Sequence, residues 1–130
     1  MPARQRYNLS CLLQFWLPVL IWMGLIFYSS SIPGKDIPML FPWQDVFFHS
    51  VVYLVLGLLL TRAHEATFLS WGLMKIILAT CILGVGYAVF DELHQGLIPQ
   101  RQCSLFDVLV DSLGVTIGSA IFALQKILYG

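Results

Sequence analysis

Four long apolar segments joined by short polar connections restrict what this 130-residue chain can fold into. They lie at about 11–28, 46–61, 74–95 and 105–128, and the second is the shortest. Each approaches the roughly 20 residues that a helix needs to cross the hydrocarbon core of a bilayer. None alternates apolar and polar residues, which argues against a transmembrane β-barrel. Only 11% of residues are charged, against about 25% in a soluble domain. The expected fold is therefore an all-α membrane protein. It would be a single domain over residues 1–130, a compact bundle of four transmembrane helices with the lipid bilayer as its first partner.

The first segment follows Arg4 and Arg6, as the core of a signal peptide would, but its apolar run exceeds the usual 7–15 residues and no A-x-A site follows. It reads as a retained helix, with Pro18 tolerated inside it. Basic residues set the orientation. Arg4, Arg6, Arg62, Lys75 and Lys126 fall on one side of a four-helix layout, and only Lys35 and Arg101 on the other. Both termini and the loop carrying His64 and Glu65 are thereby expected in the cytoplasm. The 29–45 and 95–105 loops would face outward. Seven basic and seven acidic residues balance, and no basic run could grip a nucleic-acid backbone, so nucleic acid is not expected as a partner. Cys11, Cys81 and Cys103 form no CxxC and suggest neither a disulfide framework nor a thiolate metal site.

Against this apolar background, Asp91-Glu92-Leu93-His94-Gln95, followed by Arg101, Ser104, Asp107 and Asp111, concentrates ionisable groups at the ends of two membrane segments. Charges at membrane depth are costly and usually functional. Counting from the inner basic anchors, His49 is 13 residues from Arg62, Asp91 is 16 from Lys75 and Asp111 is 15 from Lys126. At about 1.5 Å per residue all three stand roughly 20 to 24 Å above the inner boundary, one level in the outer leaflet. Their helix faces agree: Asp45, His49, Tyr53 and Gly57 form one stripe, Gly84, Ala88, Asp91 and Gln95 a second, and Asp107, Asp111, Gly114 and Gly118 a third. Gly114-x-x-x-Gly118 allows close helix approach, within the chain or between copies. A polar pocket opening outward is expected where the stripes meet.

Plainer roles compete for several of these residues. Ser104-x-x-Asp107 reads as a capping box with Ser104 at the N-cap, and Asp45 as the N-cap of the second helix. His94 and Arg101 suit an interfacial position, and Trp16, Trp22, Trp43 and Trp71 suit packing or interface anchoring. Asp91 and Glu92 fit no such reading. At a helix C-terminus the dipole opposes negative charge, so they need a cation, a proton or strong hydrogen bonds. Arg101 is the nearest protein cation, and a structural ion pair joining the third and fourth helices competes with a ligand site.

The run from Ser29-Ser30 through His49 and Glu92-x-x-Gln95 to Arg101-x5-Asp107-x3-Asp111-x-x-Gly114 resembles the signature of the VanZ-like family over nearly the whole chain. In that pattern Asn often stands where this chain has Asp111, and a glycine frequently precedes the arginine where this chain has Gln100. The resemblance implies a small, multi-pass protein of the bacterial plasma (inner) membrane. The family's namesake is associated with resistance to teicoplanin, a glycopeptide antibiotic, which implies a cell-envelope context and no particular reaction.

Three functions follow from these residues. One is an outer-leaflet site, built from the ends of helices 2, 3 and 4, that binds a lipid headgroup, cell-wall precursor or antibiotic through Asp45, His94, Gln95, Arg101, Ser104, Asp107 and Asp111. The alternative is an enzyme acting on a phosphate-bearing envelope lipid or lipid-linked precursor. There Asp91, Glu92 and His49 are the catalytic candidates, and His49, Asp91, Glu92 and Asp111 the candidates for holding a divalent cation. Proton or ion translocation is the weakest, because no acidic or histidine residue continues the path through the inner halves of the helices.

Overall fold

The computed structural model describes residues 9–130, leaving out the side chain of Cys11; Arg4 and Arg6 lie outside the described residues. Four α-helices account for most of it: α1 (Leu9–Ser30), α2 (Gln44–Thr67), α3 (Leu73–Gln95) and α4 (Leu105–Tyr129). Each is long and apolar enough to cross a membrane, and there is no strand among the described residues. The all-α bundle of four spans is therefore what the sequence encodes. The expected segments are matched closely except in α2, which runs six residues beyond Thr61.

That extension overturns the placing of His64 and Glu65 in a loop. A membrane helix continues into the interface as long as its polar side chains find partners, and these do. His64 is buried, 3.0 Å from the Thr80 hydroxyl and edge-on to Trp16. Glu65 pairs with Lys126 on α4, and Arg62 lies over the Phe15 ring.

α2 is the central helix. Its most extensive interface is with α4, and it also packs against α1 and α3, whereas α1 makes no contact with α4 among the described residues. The core is Val19 and Ile26 from α1, Tyr53, Leu56, Leu60 and Ala63 from α2, Ala88 from α3 and Val115 from α4. Apolar burial drives association weakly inside lipid, so close backbone approach and interhelical hydrogen bonds carry more of the specificity. Gly114 and Gly118 both turn toward α2: a Cβ on Gly114 would stand 2.9 Å from the Ser50 carbonyl oxygen, and one on Gly118 3.0 Å from the Leu54 carbonyl carbon. Gly57 meets α4 in the same way, 2.9 Å from the Val115 Cα. The small-residue motif thus serves packing within the chain. Thr61 donates to Ser119 across the same interface.

α1, without such a seam, is held by polar staples. Trp22 donates its indole N–H to the Val52 carbonyl at 2.9 Å, Trp16 to the Thr67 hydroxyl at 2.8 Å, and Tyr87 its hydroxyl to the Met23 carbonyl at 2.6 Å. Trp43 and Trp71 are exposed at helix ends, as interface anchors would be. At the end of the bundle carrying Ser30, Gln44 and Gln95, the two long connections lock together. The Gly34 N–H donates to the Pro99 carbonyl and the Lys35 N–H to the Gln100 side chain. Gly34 lies against the Gln100 backbone, where a Cβ would collide, while Gln100 itself adopts a positive φ of 60°. This interlock fixes Arg101 above the helix ends.

Candidate functional site

Below the interlocked loops, three helix faces bring their polar residues together. On α2 a spacing of four residues stacks Asp45, His49 and Tyr53 along one side. From α3 come Asp91, Glu92 and Gln95, all buried, and from α4 Asp111, also buried, one turn below Asp107. His49 Nδ1 lies 2.8 Å from Asp111 Oδ1. The Tyr53 hydroxyl donates to Asp91 Oδ2 at 3.0 Å, and Gln95 Nε2 reaches the same oxygen at 3.4 Å. Glu92 Oε2 accepts the Ser104 backbone N–H at 2.9 Å, docking the start of α4 onto the end of α3. Of the three levels counted from the basic anchors, His49 and Asp111 meet directly and Asp91 shares a cavity wall with His49, even though one anchor, Arg62, sits within α2 rather than at its end.

Asp91, Glu92 and Asp111 are at most 1% exposed, and each keeps one oxygen without a protein hydrogen-bond partner: Asp91 Oδ1, Glu92 Oε1 and Asp111 Oδ2. A buried carboxylate oxygen left bare costs several kcal/mol of desolvation unless a proton or cation meets it. Arg101 does not fill that role. Its Nη2 donates to Gln95 Oε1 at 2.8 Å, and among the described residues it makes no ion pair with Asp91 or Glu92. The loop interlock holds the guanidinium above the acids, so the expected carboxylate staple becomes a link through Gln95, whose amide also donates to Ser30 at 3.2 Å. His49, Glu92 and Asp111 each offer a ligand atom, all within 4.8 Å of one another.

Two cavities open onto this cluster. One, about 260 Å³, runs between the ends of α1 and α2. Ile26, Phe48 and Val52 lie on its apolar side, and His49, Asp91 and Arg101 on its polar side. The other, about 390 Å³, lies beneath the loops and is largely polar, with Asp45, Gln100, Ser104 and Asp107 on its wall. His49, Gln95 and Arg101 line both.

A model of the VanZ/LLP1 family matches residues 15–126. The chain belongs to the VanZ/LLP1 family. Four membrane-capable helices and this membership make it a multi-pass membrane protein of VanZ type. No curated protein and no solved structure matches it. The cluster's His49, Asp91, Glu92, Gln95 and Asp111 all fall inside the region matched to the family.

The remaining candidates separate. His94 turns away from the cluster, stacked on Phe27 with centroids 4.3 Å apart and bonded to Ser31 at 2.9 Å. Its role is to join α3 to α1. Ser104 is the N-cap of α4, accepting from the Asp107 N–H at 3.3 Å as expected, but its own N–H goes to Glu92 and not to Asp107, so the reciprocal half of the capping box does not form. Asp45 is not a cap: Trp43 takes the N-cap position with a positive φ of 64°, and Asp45 sits exposed in the first turn, on the wall of both cavities. The side chain of Gln44 braces this turn. Gln44 accepts from the Leu40 N–H at 2.6 Å and donates to the Pro38 carbonyl, folding the loop back over the helix start. Gln44 and Ser30 are the site-shaping residues that sequence reasoning did not single out. A glutamine heading a membrane helix was the available signal for the first. For Ser30 only its place in the family-like pattern marked it.

Proposed function

We propose that this VanZ-family protein binds an amphiphilic envelope molecule with a phosphate-bearing headgroup, a lipid or lipid-linked cell-wall precursor, in the pocket at the Gln44/Gln95 end of the bundle. The basic-residue asymmetry supports placing that end on the extracytoplasmic side of the bacterial plasma membrane. One observation carries the reading: a cavity apolar along Ile26, Phe48 and Val52 ends at Arg101 and a buried His–carboxylate cluster. An acyl or prenyl chain matches the first part. A phosphate matches a guanidinium fixed at the mouth, which recognises phosphate oxygens in a bidentate manner. A glycopeptide-resistance role would follow from altering or sequestering a cell-wall precursor.

A second reading, chemistry at that headgroup, is favoured by Asp91. It lines the cavity with Oδ2 held by Tyr53 and Gln95 and Oδ1 free of protein partners, the disposition of an oriented general base. The test is native mass spectrometry of the detergent-purified chain with dioleoyl phosphatidate or with dioleoylglycerol, the same lipid without phosphate. Saturable retention of phosphatidate alone, lost in Arg101→Ala, is expected; equal retention of both lipids would refute the proposal. Release of inorganic phosphate, abolished in Asp91→Asn, would establish the second reading.

A further inference from the structure

We infer that His49, Glu92 and Asp111 form a site for one divalent first-row metal ion. The three come from three helices and offer ligand atoms within 4.8 Å of one another. Ligands about 2.1 Å from a common metal stand about 3 to 3.4 Å apart. The 2.8 Å between His49 Nδ1 and Asp111 Oδ1 is a hydrogen-bond distance a few tenths of an ångström short of such an edge, so a metal that replaces the proton between them spreads the pair slightly. The third ligand atom, from Glu92, lies within 4.8 Å of the other two and must draw in to close the site.

The second, independent observation is the pair of bare oxygens. Glu92 Oε1 and Asp111 Oδ2 belong to side chains at most 1% exposed and have no protein donor. Two carboxylates and a neutral imidazole carry a charge of −2, which a divalent cation balances and Arg101, occupied by Gln95, does not. One nitrogen and two carboxylate donors favour zinc or manganese over calcium or magnesium, which prefer all-oxygen sets. Asp91 stands outside the triad, its Oδ2 held by Tyr53 of α2 and by Gln95 one turn along α3. This narrows the four sequence candidates to three.

The arrangement deepens the headgroup reading, since His49 lines both cavities and a metal bound there would present open positions to an anionic group. The ion's binding itself does not depend on that reading. Metal analysis of the full chain, purified in detergent without chelator, should find about one equivalent of zinc or manganese per chain. Chelator-treated protein should regain it in calorimetric titration with Zn²⁺ or Mn²⁺ alone. Glu92→Gln keeps an acceptor for the Ser104 N–H and so preserves the fold; it should weaken that affinity by more than about tenfold, as should His49→Ala, while Glu65→Gln at the other end leaves it unchanged. X-ray absorption should report one nitrogen among oxygen ligands. Wild-type protein that is metal-free and shows no titratable site overturns the inference, whatever the variants do. Metal bound normally without phosphatidate retention would instead overturn the headgroup reading and leave the metal site standing.

Discussion

Replacing Gly118 with alanine tests whether close backbone contact between α2 and α4 holds the bundle. Besides colliding with the Leu54 carbonyl oxygen, the new Cβ would stand 3.0 Å from both the Leu54 carbonyl carbon and the Leu58 amide nitrogen. Both are main-chain atoms of a helix, and neither can swing aside as a side chain would. Relieving these contacts and the closer one with the Leu54 carbonyl oxygen requires the two helices to part along their seam. Overpacking of this kind costs about 1–3 kcal/mol, against a gain of up to about 1 kcal/mol from alanine's better helix propensity. The net expectation is a loss of roughly 1–2 kcal/mol. Gly86 supplies the control, because a Cβ there meets nothing within 4 Å, leaving only the propensity gain. Reversible unfolding in detergent micelles titrated with sodium dodecyl sulfate, followed by far-ultraviolet circular dichroism, measures both. If Gly118→Ala and Gly86→Ala shift stability equally, the close-packed seam is not what holds α2 to α4. Gly114→Ala should add a local effect, because separation there pulls Asp111 away from His49.

Three further outcomes are expected. Tyr53→Phe removes the hydroxyl from Asp91 Oδ2 and should lower stability in the same assay by about 0.6–1.7 kcal/mol, the range of interhelical hydrogen bonds in membranes. His64→Leu breaks the contact with Thr80 at the far end of α2, so it should reduce stability yet leave phosphatidate retention at the wild-type level in native mass spectrometry. Cys103, exposed on the loop before α4, should react with a membrane-impermeant maleimide added to intact cells expressing the Cys11→Ser, Cys81→Ser chain. Labelling only after the cells are broken would reverse the orientation assigned from the basic residues.

The helices were legible because the apolar runs have the length of a bilayer core, and the site because three stripes of polar and small residues repeat at helical spacing. Gly84, Ala88, Asp91 and Gln95 share a buried face as that spacing requires. The partners of each polar group were harder to read. Arg101 looked like the counter-ion of Asp91 and Glu92 by sequence proximity, but its position depends on Gly34 meeting Gln100 across 66 residues of chain. His64 looked solvated because polar residues surround it, whereas the helix continues and buries it beneath Trp16. His94 has the same chemistry as His49 and lies next to Gln95 in sequence, but the roughly 100° between adjacent helical residues directs it to Phe27 and Ser31 instead. Tyr53 appeared on the correct stripe, but its role as the donor to Asp91 emerges only from the crossing of α2 and α3.

The central claim is that the apolar cavity and the buried polar cluster form one ligand site, and photocrosslinking measures this most directly. A phosphatidate carrying a diazirine in its acyl chain, activated on the purified protein and mapped by peptide mass spectrometry, should label Ile26, Phe48 and Val52, and Arg101→Ala should abolish those adducts. Adducts spread instead over lipid-facing side chains such as Leu78, Leu113 and Leu124, unchanged by Arg101→Ala, would contradict it.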